Sequence, residues 1–277
     1  MRLEVAANLR VREATRPQVR LSSKLRCLLA IGSLVFVGQV ASADEIHVAI
    51  SGGAAAAYLT LAPLFEKSTG HRLNTQQGSS MGTTFGAIPM RLDRGESVDV
   101  VIMVREGLEP LIAKGQVVRG SAVDIARSRI AMAVRKGAPM PDISTVESFR
   151  RALLQSKSVA YSDSASGLYI AGELFKRLGI EEQMAGKSRM IPGTPVGEAV
   201  ASGEYELGFQ QYSELLPVPG IQIVGLIPAE LQKVTVYVAA LTTSAKAPVA
   251  GRTLIKFLSS PQAYPALEAS GLEPIRH

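Results

Sequence analysis

The sequence predicts an α/β fold of two lobes, each a mostly parallel sheet flanked by helices with a two-strand hinge between them, and three observations carry that expectation. Short apolar runs rich in β-branched residues alternate with amphipathic stretches from Glu45 onward, the pattern of strands joined by helices. The strand-to-helix turns are rich in Gly, Ser and Thr: Ser51-Gly52-Gly53, Gly78 to Thr84, Ser162 to Gly167 and Pro192 to Pro195. Two long apolar runs, Arg127–Lys136 and Val234–Thr243, each follow a polar or Pro-containing stretch and read as crossings between lobes.

The chain opens with a leader. Residues 1–26 carry seven basic and two acidic residues, followed by an apolar run to Val40 and then Ala41-Ser42-Ala43. A charged segment, a short apolar segment and a small-residue site make a secretory signal, with cleavage expected after Ala43 and a periplasmic destination. The run from Cys27 to Val40 is too short to span a bilayer comfortably. The leader holds five of the six excess positive charges, so the mature chain has a net charge of only +1. That balance, with no basic stripe interleaved with aromatics, speaks against nucleic acid as a partner. The one cysteine, Cys27, lies in the leader, so disulfides, thiolate catalysis and zinc–sulfur sites have no residues to use.

Strands are expected at Ile46–Ile50, Arg72–Gln76, Val98–Val104, Arg129–Val134, Ser158–Tyr161, Ser188–Ile191, Glu206–Gln210, Ile221–Val224 and Thr235–Leu241. Val98-Asp99-Val100-Val101-Ile102 has the β-branched content of a strand covered on both faces. Among the helices, Ala55–Ser68 stops at Gly70, Ser144 with Glu147 reads as a capping box for a helix to Gln155, and Ser166–Leu178 stops at Gly179. These elements divide the chain into a signal peptide over 1–43, a first lobe from 44–126 plus 237–277, and a second from 127–236. The alternative is one compact α/β domain.

In an open α/β sheet, ligands bind at the carboxyl edge of the strands, where these loops fall. Helix N-termini present unsatisfied N–H donors and a positive partial charge, so loops of this kind facing one cleft form an anion trap with few charged side chains. Gly52, Ser79 and Ser80 are candidate contacts on that ground. A capping serine is the ordinary reading of any one of them, but recurrence at several strand ends exceeds what capping needs. Gln210 and Gln211 point to opposite faces of a continuing strand, leaving Gln211 or Tyr212 as the cleft contact. His47, His71 and His277 have no ligand partners at useful spacing, so neither a metal nor another cofactor is expected. Gly78-Ser79-Ser80-Met81-Gly82 matches the letters of a nucleophile elbow, but the sole later histidine is the terminal His277, which ranks a serine hydrolase below an anion-binding loop.

Gly78-Ser79-Ser80-Met81-Gly82, Val98-Asp99-Val100-Val101-Ile102, Gly208 to Glu214 and Phe257 to Ala263, in that order, resemble the molybdate-binding-protein-like branch of periplasmic type II solute-binding proteins. The resemblance covers roughly Asp44 to Pro274. It implies oxyanion contacts from both lobes, carried here by Ser51, Ser80, Ser164, Ser166 and Thr194, and delivery of a small anionic ligand by a monomer to an ABC transporter complex in the membrane. Three departures favour a carboxylate over molybdate. The first loop is Ser51-Gly52-Gly53-Ala54, Gln211 stands where a tyrosine is expected, and Arg105 ends the Val98–Val104 strand, offering a fork that fits a carboxylate. The departures resemble the sub-branch that includes aconitate isomerase, a resemblance supported by Phe209-Gln210-Gln211 and Ser213 to Pro217. On that second reading Arg105 would fix a carboxylate, and Asp163, Glu106 or Tyr212 would carry the proton.

Overall fold

The structure, a computed structural model, describes residues 43–277, so all but the last residue of the expected signal peptide lies outside the described residues. In chain order the first part holds β1 (Glu45–Ile50), α1 (Gly52–Thr69), β2 (Arg72–Gln77), α2 (Ile88–Asp93), β3 (Val100–Val104), α3 (Arg105–Ala113) and β4 (Val123–Ser128). The middle holds β5 (Ile130–Arg135), α4 (Val146–Gln155), β6 (Val159–Tyr161), α5 (Ala165–Tyr169), α6 (Phe175–Leu178), α7 (Glu181–Ala185), β7 (Ser188–Met190), α8 (Val196–Ala201), β8 (Leu207–Gln211), α9 (Tyr212–Leu215) and β9 (Ile221–Leu226). The last part holds β10 (Thr235–Leu241), α10 (Pro248–Leu258), α11 (Tyr264–Ala269) and the two-residue β11 (Glu273–Pro274).

Two sheets result, ordered β11-β4-β10-β3-β1-β2 and β7-β6-β8-β5-β9. The architecture is the two-lobed α/β fold with helices on both faces of each sheet, and both sheets are mixed. β1 runs parallel to β2 and β3, and β6 runs parallel to β7 and β8. β10 enters the first sheet antiparallel to β3 and β4, and β5 enters the second antiparallel to β8 and β9. The chain changes sheet at Arg129 and returns between Leu226 and Thr235.

The pleat sorts the core of the first sheet. Val48, Ile50, Val100, Ile102 and Val104 pack with Leu61, Phe65, Leu254 and Leu258 on one face, while Ala49, Val101 and Met103 pack with Ile88, Leu108 and Leu111 on the other. Each fully buried Val, Leu, Ile, Phe or Met side chain among them contributes about 1.5–3 kcal/mol from burial. The second lobe has its main core around Met132, Phe149, Leu174 and Phe209, with the Phe149 and Phe209 rings 5.9 Å apart edge to face.

Three local expectations shift. The strand expected from Val98 begins at Val100; just ahead of it the buried Asp99 carboxylate accepts from the N–H of His47 at 2.7 Å and of Ala247 at 2.9 Å and ties the strand's start to β1 and to the segment before α10. The cap of α4 is Thr145 with Ser148, whose N–H is accepted by Thr145 Oγ1 at 3.1 Å, while Ser144 turns its N–H to Asp142. β4, unforeseen because its exposed Arg127 and half-buried Asp124 blur the alternation, lies in the first sheet between β10 and β11.

Candidate functional site

A cavity of about 400 Å³ lies between the lobes at the strand ends. From the first lobe it is walled by Ser51 and Gly52 after β1, by Gln77 to Ser80, Thr84 and Gly86 after β2, and by Tyr237 of β10. From the second come Ser162 to Ser164 after β6, Gly193 to Pro195 after β7, and Gln210 and Glu214 around the end of β8. Among the described residues no Arg, Lys or His lines it.

Polar donors converge on this space and several are not spent on capping. Ser51 precedes the 18-residue α1 without its side chain capping it, and Ser164 likewise precedes α5 without capping it. Both residues line the cleft, Ser51 directly before the first turn of α1 and Ser164 directly before α5. Ser80 is different: fully buried, its Oγ accepts the Val104 N–H at 3.0 Å and ties the loop to the end of β3. Ser79 Oγ is 3.4 Å from the Met81 N–H.

The expected contacts Ser51, Gly52, Ser79, Ser80, Ser164 and Thr194, and the acid/base candidate Asp163, are thus brought together on one cavity. The remaining candidates are placed elsewhere. Arg105 begins α3 with its guanidinium bound to Asp124, Nη1 lying 3.8 Å from Glu109, so the fork is turned along the outside of the lobe. The exposed Glu106 beside it is not on the cavity wall either. Gln211 is buried and donates from Nε2 to Thr235 Oγ1 at 2.9 Å, joining β8 to β10. Tyr212 packs its ring on Gly271 and lines a separate groove with Arg127 and Arg129. Ser166 is buried 3.3 Å from the Ser162 hydroxyl, behind the cavity wall.

Two residues that sequence reasoning did not single out stand at the centre. Glu214 reaches from the second lobe onto the first turn of α1, so close that a Cβ on Gly52 would lie 2.6 Å from its Oε1. Burial pushes its carboxyl up to about 7, the charge of Asp163 adds to this, and hydrogen bonds from the Gln210 side chain and the Gln211 backbone oppose it. Gln210 is oriented for that: its Oε1 accepts the Val196 N–H at 3.1 Å, which turns its amide N–H₂ to the carboxyl. Tyr237 fills the next notch, where a Cβ on Gly53 would overlap the phenol oxygen. Asp163 is also raised by burial, and its Oδ2 would lie 3.1 Å from a Cβ on Gly82, a second place where the lobes meet. The signal for Glu214 was its position just past the end of a strand, the same edge rule that found the serines. Tyr237 carried none, since an apolar strand reads as core.

A cleft walled largely by neutral donors from two α/β lobes is the arrangement of a solute-binding protein of the two-lobed type. A profile of bacterial extracellular solute-binding proteins matches residues 46–273, and the chain belongs to that family. Aconitate isomerase from a Pseudomonas species is 47% identical over 251 residues, covering 89% of this chain and 96% of that one. Molybdate-binding protein ModA of Azotobacter vinelandii is 27% identical over 256 residues, covering 90% and 96%. Within the family the chain therefore stands in the molybdate-binding-like branch, in the sub-branch resembling aconitate isomerase. Among solved structures, the A. vinelandii periplasmic molybdate-binding protein superposes with a TM-score of 0.67 at 22% identity, covering 82% of this chain and 98% of that one. Peb3 of Campylobacter jejuni with L-phospholactate bound superposes at 0.64 and 12%, covering 82% and 99%. At those identities the structures share the fold.

Proposed function

We propose that this chain is a periplasmic isomerase built on a solute-binding fold, interconverting trans- and cis-aconitate by an allylic proton shift. One observation carries the reading: two carboxyl groups, Asp163 and Glu214, face a cleft otherwise walled by neutral donors. In a receptor that only captures an anion an ionised carboxylate in the wall opposes binding, because like charge in a desolvated site costs affinity. A proton carrier there is what an isomerase needs, and the relative named aconitate isomerase, 47% identical over nearly the whole chain, supports it.

The neutral donors hold the ligand carboxylates, and Glu214 moves the proton. It takes one from the methylene carbon, the C–H electron pair spreads into the neighbouring carboxylate and double bond as a dienolate, and the proton returns two carbons away. A carboxyl near neutrality serves both halves, since each protonation state is well populated at working pH. Asp163 keeps Glu214 in that range. Arg105, turned to Asp124, takes no part, and no cofactor is needed because fixed donors stabilise the dienolate. Proton NMR of trans-aconitate in D₂O with the mature chain tests this. The reading predicts the cis isomer and deuterium at the allylic position; an unchanged spectrum would leave a receptor that delivers its anion to a transporter.

A further inference from the structure

The first turn of α1 has two adjacent notches, one filled from each lobe. Glu214 occupies the space where Gly52 lacks a side chain, and Tyr237 the space where Gly53 lacks one. In the proposed reaction Glu214 works at carbon, and each half of the shift leaves charge on a ligand carboxylate close to that carbon. Resting on that reading, we propose that Tyr237 is a catalytic residue whose hydroxyl donates a hydrogen bond to the carboxylate on which the dienolate charge collects.

The geometry suits that role. Tyr237 lies in the middle of the hydrogen-bonded register of β10, paired with Val104 on one side and Ala126 on the other, and is 2% exposed, so its ring cannot swing away. The residue lines the cavity, and its hydroxyl is hydrogen-bonded by the side chain of Ser51, another residue of the wall. Burial, then the charges of Glu214 and Glu106, push the phenol well above its ordinary value, against the Ser51 hydrogen bond. It therefore keeps its proton throughout and acts as a fixed donor. A preorganised donor of this kind costs no reorganisation when charge develops, and losing one lowers turnover by about 10²–10³-fold. The phenol is held at one place by the register of β10, within reach of the Glu214 side chain that fills the neighbouring notch.

The test is Tyr237→Phe, read as kcat and KM for trans-aconitate together with calorimetric binding of tricarballylate, a saturated tricarboxylate that cannot isomerise. The expected result is tricarballylate affinity within about threefold of wild type, kcat lower by about 10²–10³-fold, and a pH midpoint still set by Glu214. Unchanged kcat, or a loss confined to binding, overturns the proposal. If the variant does not fold, 3-fluorotyrosine at position 237 keeps the ring in place: its ¹⁹F resonance moves on adding tricarballylate if the phenol meets the ligand, and an unmoved resonance overturns the assignment. A wild-type chain inert toward trans-aconitate fails the isomerase reading at the outset, whereas an active wild type with an equally active Phe variant fails only the inference about Tyr237.

Discussion

The two walls of the cleft are built from the same kind of strand-end loop and differ in one respect. The first-lobe wall, made of Ser51, Gly52, Gln77 to Ser80, Thr84, Gly86 and Tyr237, contains only neutral side chains and backbone. The second-lobe wall has serine, threonine and glutamine too, and it alone holds the carboxyl groups, Asp163 and Glu214. Both carboxyls are pushed up by burial, and both touch the opposite lobe at a glycine, Gly82 and Gly52 respectively. In the proposed reading, that contrast is how a binding fold carries chemistry: one lobe supplies the anion trap, and the other brings a proton carrier onto the positive end of the first lobe's long helix. On the proposed mechanism the first lobe binds and the second reacts.

Substitutions can break that division. The largest effect falls on Glu214→Gln, which removes the proton carrier while keeping size and polarity. Its turnover drops by about 10²–10⁴-fold, the usual worth of a positioned acid–base group, while tricarballylate affinity is kept or improved because an ionisable carboxyl no longer faces the anion. Gly52→Ala comes next, since its Cβ would lie 2.6 Å from Glu214 Oε1 and force that flexible side chain out of register. The expected outcome is a lower kcat with thermal unfolding close to wild type. Ser51→Ala and Ser79→Ala, on the binding wall, each weaken tricarballylate by about fivefold, the worth of one net hydrogen bond of ~1 kcal/mol, and calorimetry reads that loss without a fall in kcat beyond it. Arg105→Ala and Tyr212→Phe, whose side chains lie off the cavity, leave kcat and KM within about twofold, the range of substitutions away from a site.

The pH dependence sharpens the same contrast. The base must be ionised, so kcat/KM rises as pH increases through about 7 in wild type. Bound carboxylates push Glu214 further up, so the kcat limb lies at higher pH than the kcat/KM limb. Stability runs the other way. A carboxyl raised from 4.5 to about 7 in the folded state binds more protons there than in the unfolded chain, so this residue lowers stability progressively as pH climbs through that window. Glu214→Gln removes that penalty, and its melting temperature exceeds wild type at pH 8 but not at pH 4.

Much of this arrangement was readable in the sequence because it follows from local rules. Gly70 and Gly179 end helices in the left-handed conformation, at φ 78° and 61°, as their positions after apolar periodic stretches predict. The strand-end loops fall on one cavity because the carboxyl edge of a sheet is a single place in space. What escaped depends on contacts between elements far apart in the chain. Arg105 is adjacent in sequence to the end of β3, yet its choice of Asp124 over the cleft is set by β4, a strand the alternation did not reveal. Gln211 ends β8 and Tyr212 follows it, but their side chains serve the junction at Thr235 and the packing on Gly271, and Glu214, a little further on, takes the cleft. Tyr237 is one apolar-looking position in a core strand until Gly53, far earlier in the chain, leaves room for its hydroxyl.

The division of labour is tested most directly by adding trans-aconitate in D₂O to wild type and Glu214→Gln at ligand concentrations that saturate both, and following the allylic proton by NMR. Deuterium entry and cis isomer are expected with wild type and neither with the variant, although the variant still binds tricarballylate. Equal exchange by both proteins would contradict the assignment, and would place the proton carrier away from Glu214.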